Sequence, residues 1–344
     1  MPIGADNGMK HMNKLNRTLL TLALGLVAAG ANAATIKIAT IAPDGTAWMR
    51  EMRTAGDAIK TKTDGRVEMK FYPGGVMGDD ATVLRKMKIG QLQGGAFTGG
   101  EASILTGDSQ IYSLPFTFRS EDEIAKARAK LDPMLKESFA KAGYELLGVS
   151  GGGFAYLMST RTIHSRDDLK AAKVWVPLGD KIAEMAFKAA GVTPIPLPLS
   201  DVYTSLQTGL IDTAASTMSG ALAFQWHTKV KHIVDLPLSF VVGEVVIDKK
   251  AFDALSADDR KVVESEFAAG FARLEETNKK DNASAREALK AQGISIDAPT
   301  DADRKSWEAV GNDVFKQVTA QGDLSPGMAK ALGDVLATLH GAGK

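Results

Sequence analysis

The sequence predicts an α/β fold of two lobes, built on a mainly parallel sheet with helices on its faces. Three observations carry this expectation. Residues 35–89 alternate strand, helix, strand, helix, the order that places parallel strands beneath helices. Residues 173–213, KVWVPLGDKIAEMAFKAAGVTPIPLPLSDVYTSLQTGLIDT, read as strand, helix, extended arm, helix and strand, a second unit of the same kind. Across residues 257–292 no proline interrupts a helical pattern, and a helix of about 34 residues spans about 50 Å, more than one lobe. With 344 residues, 44% of them hydrophobic and 24% charged, the chain is long enough for two lobes with a sizeable core.

At the N-terminus, Lys14 and Arg17 precede the apolar run 19–29, and Ala31-Asn32-Ala33 supplies a small-residue cleavage site. The run of about 11 residues is too short to span a bilayer, so residues 1–33 read as a cleaved signal peptide with an upstream extension. TIKIAT, 35–40, alternates as a first strand. The loop Ala42-Pro43-Asp44-Gly45 opens a helix to about Thr63, with Trp48, Met49, Met52 and Ile59 as its apolar stripe. RVEMKFY, 66–72, is a second strand, and a helix over about 79–89 follows. Residues 123–142 form a Lys/Ala/Leu-rich helix with a mostly solvated face. Residues 144–150 are a strand that continues extended through a glycine triplet to 160.

In the 173–213 unit, 173–177 is a strand and 181–190 a helix. Pro194, Pro196 and Pro198 cannot donate to a ladder, so this piece is an extended connector. Ser200 N-caps a helix over about 201–208, and Gly209 suits its C-terminal end. A β-branched strand runs over 240–247. Ser256 caps the long helix, 294–297 is a short strand, and Ser325-Pro326 opens the last helix.

Formal charge is zero, which gives no reason to expect nucleic acid or an anionic membrane surface as partner. The absence of cysteine excludes disulfides, thiolate chemistry and a lipid-modified N-terminal cysteine. An exported chain of this kind is expected free in the periplasm, not inserted in the membrane and monomeric. His164, His227, His232 and His340 lack metal-ligand spacing, and no glycine-rich stretch matches a phosphate loop, so no metal or cofactor is expected. Gly148-Val149-Ser150-Gly151-Gly152 matches the G-x-S-x-G pattern of serine hydrolases, which needs a sharp strand-to-helix turn after the serine. The residues that follow read as continued strand, so a hinge is the better fit; a secreted hydrolase using Ser150 stands as the competing reading.

The run AAGVTPIPLPLSDVYTSLQTGLID resembles the signature of the extracytoplasmic solute receptors of tripartite ATP-independent (TRAP-type) transporters, the dicarboxylate-receptor family. PGGVMGDD, KIGQLQGGAFTG and SLPFTFRS resemble that family's first lobe in type and order. The resemblance covers roughly residues 35–330. It implies a periplasmic-binding-protein type II fold, with 34–150 plus 245–280 as one lobe and 151–244 plus 281–344 as the other. It also implies crossing strands near 151–160 and 237–248, no enzymatic activity, and delivery of a small molecule to integral-membrane permease subunits. A sensor or scavenger on the same fold is the alternative.

The same resemblance marks where the ligand groups should be, and this chain departs there. The family's K-[IVL]-R-V-P strand carries a carboxylate-binding arginine, whose planar fork pairs with both carboxylate oxygens. Here the strand is Lys173-Val174-Trp175-Val176-Pro177. The second arginine of the family corresponds to Ala155, between Phe154 and Tyr156, and its asparagine to Ser216, followed by Thr217; Leu199 stands where an aromatic often precedes the capped helix. Burying an unpaired carboxylate costs several kcal/mol, so a neutral, aromatic or largely hydrophobic ligand is expected instead of a simple dicarboxylate. Trp175 is the foremost candidate contact. Trp48 joins it, and Met218, Phe224 and Trp226 are candidates for an apolar wall or for ordinary core. Asp44, Glu101 and Glu244 are candidates for the polar contacts that fix orientation.

Overall fold

The computed structural model describes Met1 and residues 33–341, so the candidate signal peptide lies, but for its ends, outside the described residues. Strand β1 (Ala34–Thr40) pairs in parallel with β2 (Val67–Tyr72) on one side and β3 (Gly94–Thr98) on the other. Helix α1 (Ala47–Lys62) starts at Thr46, whose hydroxyl accepts from the Met49 N–H, and buries Met49, Met52 and Ile59. Helix α2 (Asp80–Lys88) starts at Asp79, which accepts from the Thr82 N–H. Two 3-10 turns (Glu101–Ile104 and Gly107–Tyr112) lead to α3 (Glu121–Lys141). Helix α3 is less solvated than expected: Ile124, Ala127, Leu131, Leu135 and Phe139 recur at helical spacing and are all buried.

Strand β4 (Tyr144–Ser159) runs 16 residues and pairs antiparallel with β9 (Ser239–Asp248) over most of its length. This long pair joins the two halves of an eight-stranded sheet in which seven strands follow the order β10-β8-β4-β9-β3-β1-β2 and the eighth, β7 (Thr213–Ser216), pairs with β4 off that path; β7, β8 (His232–Val234) and β10 (Ser295–Asp297) belong to the second half. The sheet is therefore mixed, not mainly parallel. A chain that leaves one half and returns along the same sheet must pair with itself antiparallel, and β3–β9, β4–β7 and β4–β8 are antiparallel as well. Ser150 lies inside β4, 1% exposed and with no turn after it, so the G-x-S-x-G match lacks the elbow geometry.

After the short α4 (Arg166–Lys170), the unit found in the sequence folds as β5 (Trp175–Pro177), α5 (Lys181–Ala189), β6 (Ile195–Leu197) and α6 (Val202–Thr208). The proline arm is extended as expected, yet it also forms a ladder: β6 pairs in parallel with β5. Only alternate residues of a strand turn their N–H toward the partner, and Ile195, not a proline, donates to the Val174 carbonyl. Ser200 is not the cap of α6. The helix enters through a 3-10 turn (Leu199–Asp201), Asp201 holds the cap position, and the Ser200 hydroxyl bonds the Asp201 carboxylate instead. Gly209 does end the helix, in the left-handed region at φ 74°.

Helix α7 (Met218–Ala223) follows, and after the short α8 (Lys249–Asp253) comes α9 (Ala257–Ala291), 35 residues long and capped by Ser256. Helix α9 packs on α1, β4 and α7 and so lies along both halves. Val263, Phe267, Phe271 and Leu274 pack into the core beneath α1, while Ala285 and Leu289 pack into a separate core with Trp175 and Trp226. Between these stretches Asn278 and Asn282 donate to the carbonyls of Gly151 and Gly152, tying the helix to the crossing strand. Helix α10 (Asp301–Gln321) packs on α5, and α11 (Pro326–His340) returns to α3. Among the described residues no helix is long and apolar enough to cross a membrane.

Candidate functional site

The two halves of the sheet face each other across two adjoining cavities, one of about 230 Å³ and one of about 440 Å³, which share Leu199, Phe224 and Trp226. That size suits a small organic molecule. The inner cavity lies against the crossing strands at Ala155, Val241 and Val242 and is closed by the apolar face of α5, with Ile182, Ala186 and Phe187.

One wall is aromatic and set by the fold. Trp175 at the start of β5 is 4% exposed, donates its indole N–H to the Leu197 carbonyl at 2.9 Å and meets Trp226 edge to face at 5.4 Å. Phe224 stacks at a tilt on Trp226, 5.8 Å between centroids. The only donor of Trp175 is thus taken by β6, and the residue offers the cleft ring surface and no hydrogen bond.

The other wall is acidic. Asp80 opens α2, with its Oδ1 buried and without a hydrogen-bond partner. Glu101 stands beside it and accepts from the Thr98 N–H at 3.0 Å and the Thr98 hydroxyl at 2.7 Å. Burial and the neighbouring Glu101 charge push the Asp80 carboxyl far above the usual carboxylate range. Asp180, from the opposite half, caps α5 by accepting from the Ala183 N–H at 2.9 Å. Burial raises it to about 6, assisted by the Glu101 charge and opposed by the N–H groups of Ala183 and Ile182. A Cβ placed on Gly100 would lie 2.5 Å from Asp180 Oδ2, so a glycine at the end of the first half lets the two halves meet. The residues lining the two cavities include Asp79, Asp80, Glu101 and Asp180 and no arginine, lysine or histidine.

Of the residues singled out in the sequence, Trp175, Glu101, Ala155, Leu199, Ser216, Thr217, Phe224 and Trp226 line the cleft. The others lie elsewhere. Trp48 packs on Phe271 at 5.8 Å and covers Gly243. Asp44 is exposed and paired with Arg53 at 3.0 Å. Phe154 stacks on Phe240 at 5.1 Å, and with Tyr156 and Met218 it borders a separate depression beside Asn282 and Arg286. Alternation along β4 explains why Ala155 reaches the cleft and its two neighbours do not. Glu244 lies fully buried in β9 between Phe97 and Val149, with neither oxygen bonded, and burial pushes its carboxyl well above the ordinary value. Sequence reasoning missed Asp80, Asp180 and Phe187. Both aspartates sit at helix N-termini, where capping alone accounts for an aspartate. No cluster of residues able to hold a metal ion occurs among the described residues.

Residues 38–321 match the family described as DctP, bacterial extracellular solute-binding protein, family 7. The sialic acid-binding periplasmic protein SiaP of Vibrio cholerae is 23% identical over 300 residues, 85% of this chain and 90% of that protein. The C4-dicarboxylate-binding periplasmic protein DctP of Rhodobacter capsulatus is 24% identical over 296 residues, 85% of this chain and 88% of that protein. A solved TRAP periplasmic solute-binding protein from Xanthobacter autotrophicus Py2, with bound β-D-galacturonate, superposes with a TM-score of 0.81 at 19% identity, over 88% of this chain and 99% of that one. Its fold is the fold described above, two α/β lobes of the type II binding-protein kind.

Proposed function

The chain belongs to the bacterial extracellular solute-binding protein family 7, and from that premise we propose that it captures a small organic molecule without a free carboxylate and delivers it to a TRAP permease. Proteins of this kind bind small molecules, work with membrane permease subunits and are not enzymes. For this chain we place the receptor in the periplasm after removal of residues 1–33, as a monomer. We take 34–150 plus 245–280 as one lobe and 151–244 plus 281–344 as the other, with α11 reaching back to α3.

The observation that carries the ligand reading is the absence of any arginine, lysine or histidine among the residues lining the two cavities. The relatives named above bind sialic acid and C4-dicarboxylates, and nothing in their names supports an apolar ligand. The support comes from the cleft itself, where Trp175 occupies the position at which the resemblance expects an arginine. A carboxylate placed between Trp175 and Glu101 would lose its water, find no cation and face a like charge, a cost of several kcal/mol. A molecule with a largely aromatic or aliphatic body fits the inner cavity, where Phe187, Ile182 and Trp226 supply the contact surface.

Thermal unfolding in the presence of ligands tests this. Succinate, N-acetylneuraminate and galacturonate should leave the midpoint unchanged at millimolar concentration. A tight complex with any of them overturns the reading, because a ligand at 100 times its dissociation constant stabilises by about 2.7 kcal/mol.

A further inference from the structure

We propose that the ligand is a cation: an ammonium or related positively charged group held at Asp80 and Glu101, on a body that fills the apolar inner cavity. The inference rests on the receptor reading above and names the polar end that reading left open.

Three independent features of the cleft lead there. First, carboxylates converge from both halves, Asp80 and Glu101 from one and Asp180 from the other, and no cation stands among the lining residues to pair with them. Second, no donor of the chain reaches the buried Asp80 Oδ1, and the Asp80 side chain meets only the Glu101 carboxylate, through a proton that the two acids share. A ligand ammonium can take the place of that proton and donate to both carboxylates. Third, the half-buried ring of Phe224, stacked on the buried Trp226, lines both cavities together with these acids, and an aromatic ring in an acidic cavity is a favourable setting for a cation. Tyr203 also lines the outer cavity, but Lys229 already lies over its ring at 5.0 Å.

The electrostatics agree with this geometry. The charged groups acting on Asp80 are Glu101 and Asp79, and those on Asp180 are Glu101 and Glu184; all are acidic. In the empty cleft, burial and mutual repulsion keep a proton on Asp80. A bound ammonium takes over that neutralising role, so Asp80 gives its proton to solvent as the cation enters, and charge balances. Two consequences follow. Binding releases up to one proton per ligand, and affinity rises with pH while the amine stays protonated, because the ionised carboxylate is the binding form.

The test uses three ligands with one aromatic body and three charges, phenethylammonium, 2-phenylethanol and 3-phenylpropanoate, each titrated calorimetrically into the full mature chain. Phenethylammonium should bind at least tenfold more tightly than the alcohol, and the carboxylate should not bind. Its affinity should rise between pH 5.5 and 7.5, with an enthalpy that depends on the ionisation heat of the buffer. Asp80→Asn and Glu101→Gln, which keep the side-chain shape, should each weaken the ammonium at least tenfold and leave the alcohol within twofold. Equal binding of cation and alcohol, tighter binding of the carboxylate, unchanged affinity in both variants, or binding of none of the three overturns the proposal. Native mass spectrometry of the purified receptor separates this failure from that of the receptor reading. A co-purified acid or neutral molecule overturns the cation and leaves the receptor standing, whereas an empty chain that binds none of the three overturns both.

Discussion

On one side of the cleft Trp175, Trp226 and Phe224 hold one another in place, and the Trp175 N–H is already bonded to Leu197. On the other, Asp80 and Glu101 stand side by side with a buried oxygen unbonded. The aromatic wall is complete without a ligand and continues into the core shared with α9. The acidic wall is incomplete without one. Shape in this cleft is therefore supplied by residues that also hold the fold together, and charge selection by residues that do not. Substitutions should sort accordingly, into those that cost stability and binding together and those that change one alone.

Removal of a ring from the aromatic wall should have the largest effect. Trp175→Ala deletes a side chain that is 4% exposed, and such truncations cost about 3–5 kcal/mol. It should also reduce the change in tryptophan fluorescence on ligand binding to the part that Trp226 contributes. Trp175→Phe keeps most of the ring but removes the indole donor to the Leu197 carbonyl, which retains the Leu178 N–H, a loss of about 1 kcal/mol. Urea unfolding and fluorescence titration of both variants check this order. Normal ligand binding by Trp175→Ala would remove Trp175 from the site.

Glu244 sharpens the contrast, because it is an equally unbonded acid outside the cleft. Its raised carboxyl keeps a proton in the folded chain that the unfolded chain releases above the usual glutamate value of 4.5. Its contribution to stability is therefore complete below pH 4.5 and withdrawn as pH rises toward the folded value, by about 1.4 kcal/mol per pH unit. Glu244→Gln should make the fall in stability above pH 5 shallower by this contribution, leaving the part due to Asp80 and Asp180, should make the variant more stable than the parent at pH 7, and should not alter ligand affinity. Urea unfolding at three pH values reads the first two effects and titration the third. A change in ligand affinity without a change in slope would return Glu244 to the cleft.

The sequence made some of this visible and hid the rest for identifiable reasons. Local chemistry announced the caps at Ser256 and Ser325, the left-handed Gly209 and the unbroken α9, since each depends on a few neighbouring residues. The burial of Glu244 was also within reach. Phe240, Val242, Glu244 and Val246 alternate along β9, and period two places all four on one face, the face that packs into the larger core. Asp80 and Asp180 were not legible as a pair, because each is explained locally by its helix. Only the approach of two segments about 100 residues apart makes them neighbours of one cavity. The mixed sheet was missed for a similar reason, since strand direction in the crossing pair is set by the chain's return and not by any local pattern.

The smallest expected effect lies where the two walls touch. Gly100 has φ −65° and ψ −43°, a conformation any residue adopts, so alanine brings no backbone strain there. Its Cβ would nevertheless come within 2.5 Å of Asp180 Oδ2, from the opposite half. The clash has two ways out. If the carboxylate swings aside, α5 loses its cap, a cost of about 1 kcal/mol, and the closed form persists. If the halves separate, unfolding stability is kept and the ligand binds more weakly because closure is opposed. The acidic wall is the one not held by core packing, so the halves should yield first, and Gly100→Ala should weaken a cognate ligand several-fold with little change in urea midpoint. Adding Asp180→Ala removes the obstruction and should recover closure, read as a smaller radius of gyration by solution scattering with ligand present. Tight binding and full closure by Gly100→Ala alone would mean that the halves do not meet at this point in the bound receptor.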